Sequence, residues 1–249
     1  MMPKAKEQAL TQEERPAQVM VPESEQLYKV PGNWEWTRLG NAVKTSDIKF
    51  NDFENSDGIK YVGLEHMEKD AGIISFGNAS DVKSLKNAFS KGDLLYGKLR
   101  PYLNKHDIAD FDGICSTDIL VFKPITQVMI RLVDYYFNTD SFLEYAVSNS
   151  KGINLPRVSQ DVILNIPFPL PPLPEQQRIV ERIENLFSKL DRALYLVQSA
   201  LDSFENRKAA ILHKAFTGEL TAKWREENGA GLDSWETKCF SDTAYINYT

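Results

Sequence analysis

The densest group of side chains able to do chemistry lies at residues 98–105, Lys98-Leu99-Arg100-Pro101-Tyr102-Leu103-Asn104-Lys105. Lys98, Arg100 and Lys105 are cations, Asn104 offers an amide that both donates and accepts, and Tyr102 adds a ring with a polar tip. Arginine, lysine and asparagine pair with base edges and phosphate oxygens, so the stretch suits a nucleic acid. Its surroundings agree. Residues 81–105 hold Lys83, Lys86, Lys91, Lys98, Arg100 and Lys105 against Asp81 and Asp93, a basic window in a chain of net charge −6. A local basic face is what lets an acidic protein approach a polyanion. Lys83, Lys86 and Asn87, read as part of a polar loop, are a second candidate group. Lys151 and Arg157 are a third, at the ends of Lys151-Gly152-Ile153-Asn154-Leu155-Pro156-Arg157, where Gly152 permits close backbone approach.

Catalytic chemistry is poorly supported. Asn165-Ile166-Pro167-Phe168 approaches the Asn/Asp-Pro-Pro-aromatic motif of amino-methyltransferases, but Ile166 stands where the first proline belongs. No strand-linked glycine-rich cofactor loop accompanies it; Gly229-Ala230-Gly231 sits alone in a polar stretch, and there is no P-loop. Asp107, Asp110 and Asp112 lack the Glu-x-Lys companion of a nuclease site and alternate as surface residues on a strand would. Two cysteines and three histidines provide neither a disulfide framework nor a metal-ligand cluster, which makes a reduced, cytoplasmic setting the default expectation. No secretory signal is seen, and no apolar run approaches the ~18 residues of a membrane span.

These residues need a scaffold, and the pattern predicts a mixed α/β domain over residues 28–173. Residues 1–27 read as a loosely held polar tail. Pro31-Gly32 opens the folded part, with Trp34 and Trp36 assigned to packing on a short strand. Further strands are expected at 60–64, 73–77 and 92–97, and two more within 106–124, the last through the apolar run Ile119-Leu120-Val121-Phe122. Residues 128–137 and 141–147 have helical spacing, with Asp140 as the cap between them. Residues 162–169 read as an edge-like strand leading into a proline linker.

Beyond the linker the pattern changes. Pro174 suits a first helical turn, and Glu175 sits where the helix dipole favours an acid. From there Ile179, Ile183, Leu186, Leu190, Ala193, Val197, Ala200 and Phe204 alternate at spacings of four and three, a heptad seam. One long amphipathic helix is expected over residues 174–228, with Gly218 as terminus or kink; fifty residues of helix span roughly 75 Å. Such a seam predicts a second helix alongside it.

Three stretches taken together carry a resemblance. Residues 92–105, Phe111-Asp112-Gly113-Ile114-Cys115-Ser116-Thr117-Asp118-Ile119-Leu120-Val121, and Pro169-Leu170-Pro171-Pro172-Leu173-Pro174-Glu175-Gln176-Gln177-Arg178-Ile179-Val180 resemble the specificity (S) subunit of type I restriction–modification systems. Gly32-Asn33-Trp34-Glu35 and Ala215-Phe216-Thr217-Gly218-Glu219-Leu220 are similar as well. The resemblance implies a target-recognition domain that reads one half of a split site in double-stranded DNA, followed by a spacer helix that pairs antiparallel with another. It implies docking of methyltransferase (M) subunits on the helices, and of restriction (R) subunits indirectly. It also implies no catalysis by this chain: S-adenosylmethionine, ATP and magnesium belong to the partner subunits.

Family members carry two recognition domains and two helices, whereas this chain has one of each. Ser234-Trp235-Glu236-Thr237-Lys238-Cys239-Phe240 echoes Asn33-Trp34-Glu35-Trp36-Thr37-Arg38-Leu39, so residues 229–249 read as the start of a truncated second repeat or a disordered tail. A homodimer through the helical seam, reading an inverted repeat, is the expectation. The competing one is a protein–protein adaptor that binds partner subunits without selecting DNA.

Overall fold

The structure is a computed structural model that describes residues 20–51, 56–125, 127–231, 233, 236 and 238–243. The chain divides into two compact units, Met1–Ile183 and Glu184–Thr249. In the first, the strands are β1 (Glu35–Arg38), β2 (Val43–Thr45), β3 (Lys49–Phe50), β4 (Lys60–Val62), β5 (Met67–Glu68), β6 (Gly72–Ile73), β7 (Gly77–Asn78), β8 (Lys86–Phe89), β9 (Leu94–Gly97), β10 (His106–Ile108), β11 (Gly113–Cys115) and β12 (Ile119–Pro124). Three helices follow, α1 (Ile130–Phe137), α2 (Asp140–Ser148) and α3 (Gln160–Leu164), then β13 (Pro167–Leu170) and the start of α4 (Leu173–Asp202). This is the mixed α/β architecture with a long following helix that the sequence predicts.

A four-stranded antiparallel sheet in the order β10-β9-β12-β2 forms the centre of the unit. A five-stranded sheet, β3-β8-β11-β4-β7, is antiparallel except between β11 and β4. Because side chains alternate along a strand, β12 sends Leu120 and Phe122 into one core and Ile119 and Val121 into another. β9 does the same with Leu94 and Tyr96 on one side and Leu95 on the other. Both strands are thus covered on both faces, which is why their sequences are unbroken apolar runs rather than alternating ones. On the helical side Phe137 stacks on Phe142 with ring centres 4.2 Å apart, and Tyr96 and Phe122 meet Phe137 edge-on. The buried Tyr136 hydroxyl donates to Pro167 O at 2.6 Å, tying α1 to β13, and burial raises its pKa.

Several local expectations change. Residues 106–124 hold three strands rather than two. Thr139, not Asp140, caps α2, its hydroxyl accepting the Phe142 N–H at 3.3 Å; Asp140 is instead the first helical residue, an acid at the positive end of the dipole. Residues 160–164 are helical because Ser159 caps α3, and only 167–170 are strand. The polar tail is held from Met20 onward: Met20 bridges Thr37, the Val21 N–H bonds Trp36 O, and Tyr28 packs edge-on against Trp36. Trp36 is buried, as its packing role requires.

The first compact unit runs past the proline linker to Ile183 because the opening turns of α4 are docked. Gln176 is 1% exposed, and its carbonyl oxygen accepts the Met129 N–H at 2.8 Å. Its amide donates to Gln127 O at 3.0 Å and to Pro171 O at 2.9 Å. Val180 is buried one turn on, with Ile179 and Ile183 half-buried.

In the second unit the helix is not continuous to residue 228. α4 ends at Asp202, and α5 (Phe204–Phe216) begins after Ser203, whose hydroxyl donates to Ala200 O at 2.9 Å. A serine that bonds its own backbone competes with the helical ladder and bends it there. Gly218, at φ 78°, ends the run in the left-handed conformation that glycine adopts without strain. α6 (Ala222–Glu227) follows, with Arg225 donating to Gly218 O. Of the Trp-Glu echo, Ser234, Trp235 and Thr237 lie outside the described residues, while Phe240 opens α7 (Phe240–Thr243). Among the described residues no helix is long and apolar enough to cross a membrane.

Two outcomes check this packing. Gln176→Ala removes three hydrogen bonds made by a buried side chain to main-chain groups, of which only Pro171 O is itself on a buried residue, so urea unfolding should show a loss of roughly 1–3 kcal/mol. Cys115 is buried, its thiol pushed up to about 12 by desolvation, whereas Cys239 is exposed. A thiol reagent at pH 8 should therefore titrate one cysteine in the native protein and two in urea.

Candidate nucleic-acid interface

β9 leaves the central sheet at Gly97, and the chain reaches β10 through the basic loop of residues 98–105. Its middle is a single 3-10 turn, Pro101–Leu103, flanked by Arg100 at φ 53° and Asn104 at φ 41°. Two non-glycine residues in the left-handed region cost free energy that surrounding contacts must offset. The contacts are backbone hydrogen bonds to a second loop. The Arg100 N–H donates to Pro156 O at 2.7 Å, the Val158 N–H to Lys98 O at 3.1 Å, and Leu99 bridges Arg157. The Lys98 N–H bonds Asp118 O at 2.8 Å, fastening the same point to the turn before β12.

The second loop is closed on itself. Lys151 and Arg157 exchange backbone hydrogen bonds of 2.9 and 2.8 Å, leaving five residues outside the bridge. Gly152 stands at φ 105°, where a β-carbon would meet Leu155 O at 3.0 Å, so glycine is required there for shape. The first and third candidate groups thus become one surface.

A groove of about 520 Å³ runs between them, lined by Lys98, Leu120, Lys151, Leu155, Arg157 and Ser159 among others. Burial lowers the Lys98 pKa most; Asp118 opposes that shift, and Arg157 and Lys49 add to it. The Arg157 guanidinium donates to Asp118 at 2.9 Å and stays half exposed. Arg100, Tyr102, Lys151 and Arg157 are exposed, and Lys98 is half-buried at the groove wall. Arginine and lysine in this setting can grip phosphates or base edges.

Other expected contacts are taken up by the fold. Asn104 is buried, its amide donating to Phe137 O at 2.8 Å: the turn needs an internal anchor, and the side chain points inward. Lys105 donates to Leu64 O at 2.8 Å. Lys86 and Asn87 are not in a polar loop but in β8 and are buried. The Lys86 amino group bonds Ser84, and the Asn87 amide donates to Ile119 O at 2.9 Å while its oxygen accepts from Lys49. Lys83 remains exposed outside that strand. Asp118 and Lys49 are the residues that sequence reasoning missed. Asp118 lies inside a quoted motif, but its partner Arg157 is distant in sequence, and an isolated aspartate or lysine gave no signal.

The chain is similar to several known proteins. The profile of the type I restriction modification DNA specificity domain matches residues 31–195. The EcoDI specificity subunit of Escherichia coli is 34% identical over 208 residues, covering 82% of this chain and 46% of that subunit. The StySPI specificity subunit of Salmonella potsdam is 36% identical over 137 residues, 54% of this chain and 28% of that one. The crystal structure of the HsdS subunit from Thermoanaerobacter tengcongensis superposes with a TM-score of 0.60 at 26% identity, over 70% of this chain and 47% of that one. The chain thus spans less than half the length of each of these three relatives. With the domain profile covering most of the folded residues, the chain belongs to the type I restriction–modification DNA specificity family.

Proposed function

We propose that this chain recognises one half of a bipartite sequence in double-stranded DNA, while its long helix pairs with a second helix and docks methyltransferase subunits. The observation that carries the reading is the lacing of residues 98–100 to residues 156–158, which assembles cations from two distant segments into one rigid, exposed surface. Rigidity matters for sequence reading, because a base-edge hydrogen bond rewards only side chains already in place. Arg100 is the base-reading choice, with Lys98, Lys151 and Arg157 as phosphate contacts and Tyr102 beside them.

The helix supports the second half of the reading. Beyond Ile183, Leu186, Leu190, Val197 and Phe204 are each at least 43% exposed, at heptad spacing. An apolar stripe of that length is the seam of a helix pair. The second helix comes from another copy of the chain, antiparallel, so the pair is two-fold and its DNA target an inverted repeat. The chain carries out no catalysis: S-adenosylmethionine, ATP and magnesium chemistry belong to the methyltransferase and, less directly, the restriction subunits, in the cytoplasm.

Selection from a random duplex pool, by the full chain alone and with its methyltransferase subunit, tests the recognition step. An enriched sequence supports it; binding to the methyltransferase with no enrichment identifies an adaptor instead. On the enriched duplex, Arg100→Ala should cost about 1–3 kcal/mol and relax preference at one position. Lys151→Ala should weaken all sequences alike and reduce the salt slope by about 1. Replacing Leu186, Leu190 and Val197 by Asp should halve the sedimenting mass, since charge cannot be buried in the seam; an unchanged mass removes the pairing.

A further inference from the structure

The loop between Lys151 and Arg157 carries a feature that phosphate binding leaves unexplained. Ile153 is 100% exposed and Leu155 is 54% exposed, with the exposed amide of Asn154 between them. A single exposed isoleucine on a mobile surface needs no account. This one is held differently. The loop is closed by two backbone hydrogen bonds of 2.9 and 2.8 Å, its shape requires glycine at 152, and Pro156 is fixed by the Arg100 N–H at 2.7 Å. An apolar side chain is therefore presented to water from a rigid mount, in a loop that begins at Lys151, ends at Arg157 and is bonded at Pro156 by the Arg100 N–H. Basic flanks draw a polyanion, but they gain nothing from an isoleucine unless the partner offers apolar surface at the same depth.

Duplex DNA offers one such surface in a groove wide enough for a two-stranded turn, the C5-methyl group of thymine in the major groove. Resting on the DNA-reading role proposed above, we infer that residues 152–156 form a major-groove reading loop, with Ile153 packed on a thymine methyl group. Asn154 beside it has the side chain that pairs bidentately with adenine N6 and N7. The loop thus reads an A·T-containing step, while Lys151 and Arg157 hold the flanking phosphates. A minor-groove wedge would use the same apolar tip but would not sense the methyl group, which points into the other groove.

The test is a deoxyuridine scan. In the duplex enriched by the wild-type full chain, each thymine is replaced in turn by deoxyuridine, which removes only the C5-methyl group. Wild-type affinity should fall about three- to fivefold at one thymine, the effect of losing about one buried carbon's worth of contact. Ile153→Ala should bind the unmodified duplex more weakly by a similar factor and become indifferent to deoxyuridine at that thymine. Because Ile153 is wholly exposed, the variant's unfolding midpoint should not move. Enrichment of a sequence with no thymine showing this coupling would overturn the loop assignment and leave the DNA-reading role standing. Failure of the wild-type chain to enrich any sequence, alone or with its methyltransferase subunit, would remove both.

Discussion

The recognition unit is organised by a constraint on two strands: β9 and β12 must satisfy a core on each face. Leu94, Tyr96, Leu120 and Phe122 face one cluster, and Leu95, Ile119 and Val121 face the other. A one-residue slip in their pairing would exchange the two sets and place the aromatics where the smaller side chains belong. The register is therefore doubly specified. Both loops of the interface hang from it, one directly from the end of β9 and the other through Lys98 and Asp118 at the edge of β12.

That arrangement explains how an exposed surface can be stiff. Loops are ordinarily the mobile part of a domain. Here the backbone of residues 98–100 uses its hydrogen-bonding capacity on residues 118, 156 and 158, and Asn104 spends its amide on Phe137 O. The left-handed conformations of Arg100 and Asn104 persist because these contacts over-determine them. The side chains left over are those that face water, and they are mostly cationic. Asp118 sits among them as a counter-charge, its carboxylate accepting from Arg157 at 2.9 Å.

Elements with strong local patterns were legible from residues alone. The apolar runs of β9 and β12, the helical spacing of α1 and α2, and the proline-marked start of α4 all appear where their sequences place them. Gly218, expected as terminus or kink, ends the helical run at a positive φ. Short strands were less legible: β10 and β11 hold three residues each, too few for a period to show. The break at Ser203 leaves no mark in the pattern, because the heptad of apolar residues runs through it unbroken. For the interface, residue type identified the right segments but not the direction of each side chain. Asn104 and Asn87 look like ligands for bases and are anchors for backbone, a distinction set by tertiary partners more than 30 positions away, while Lys86 is turned onto Ser84 two positions before it. The union of the two loops was invisible for the same reason.

The grip of Gln176 on the domain has a separate implication. Its three partners, Met129 N–H, Gln127 O and Pro171 O, are all main-chain groups, and none belongs to residues 98–105 or 151–157. Side chains can drift across the reading surface through many generations without disturbing the socket that seats the strut. Loops of different composition can then be carried on one unchanged seat for α4.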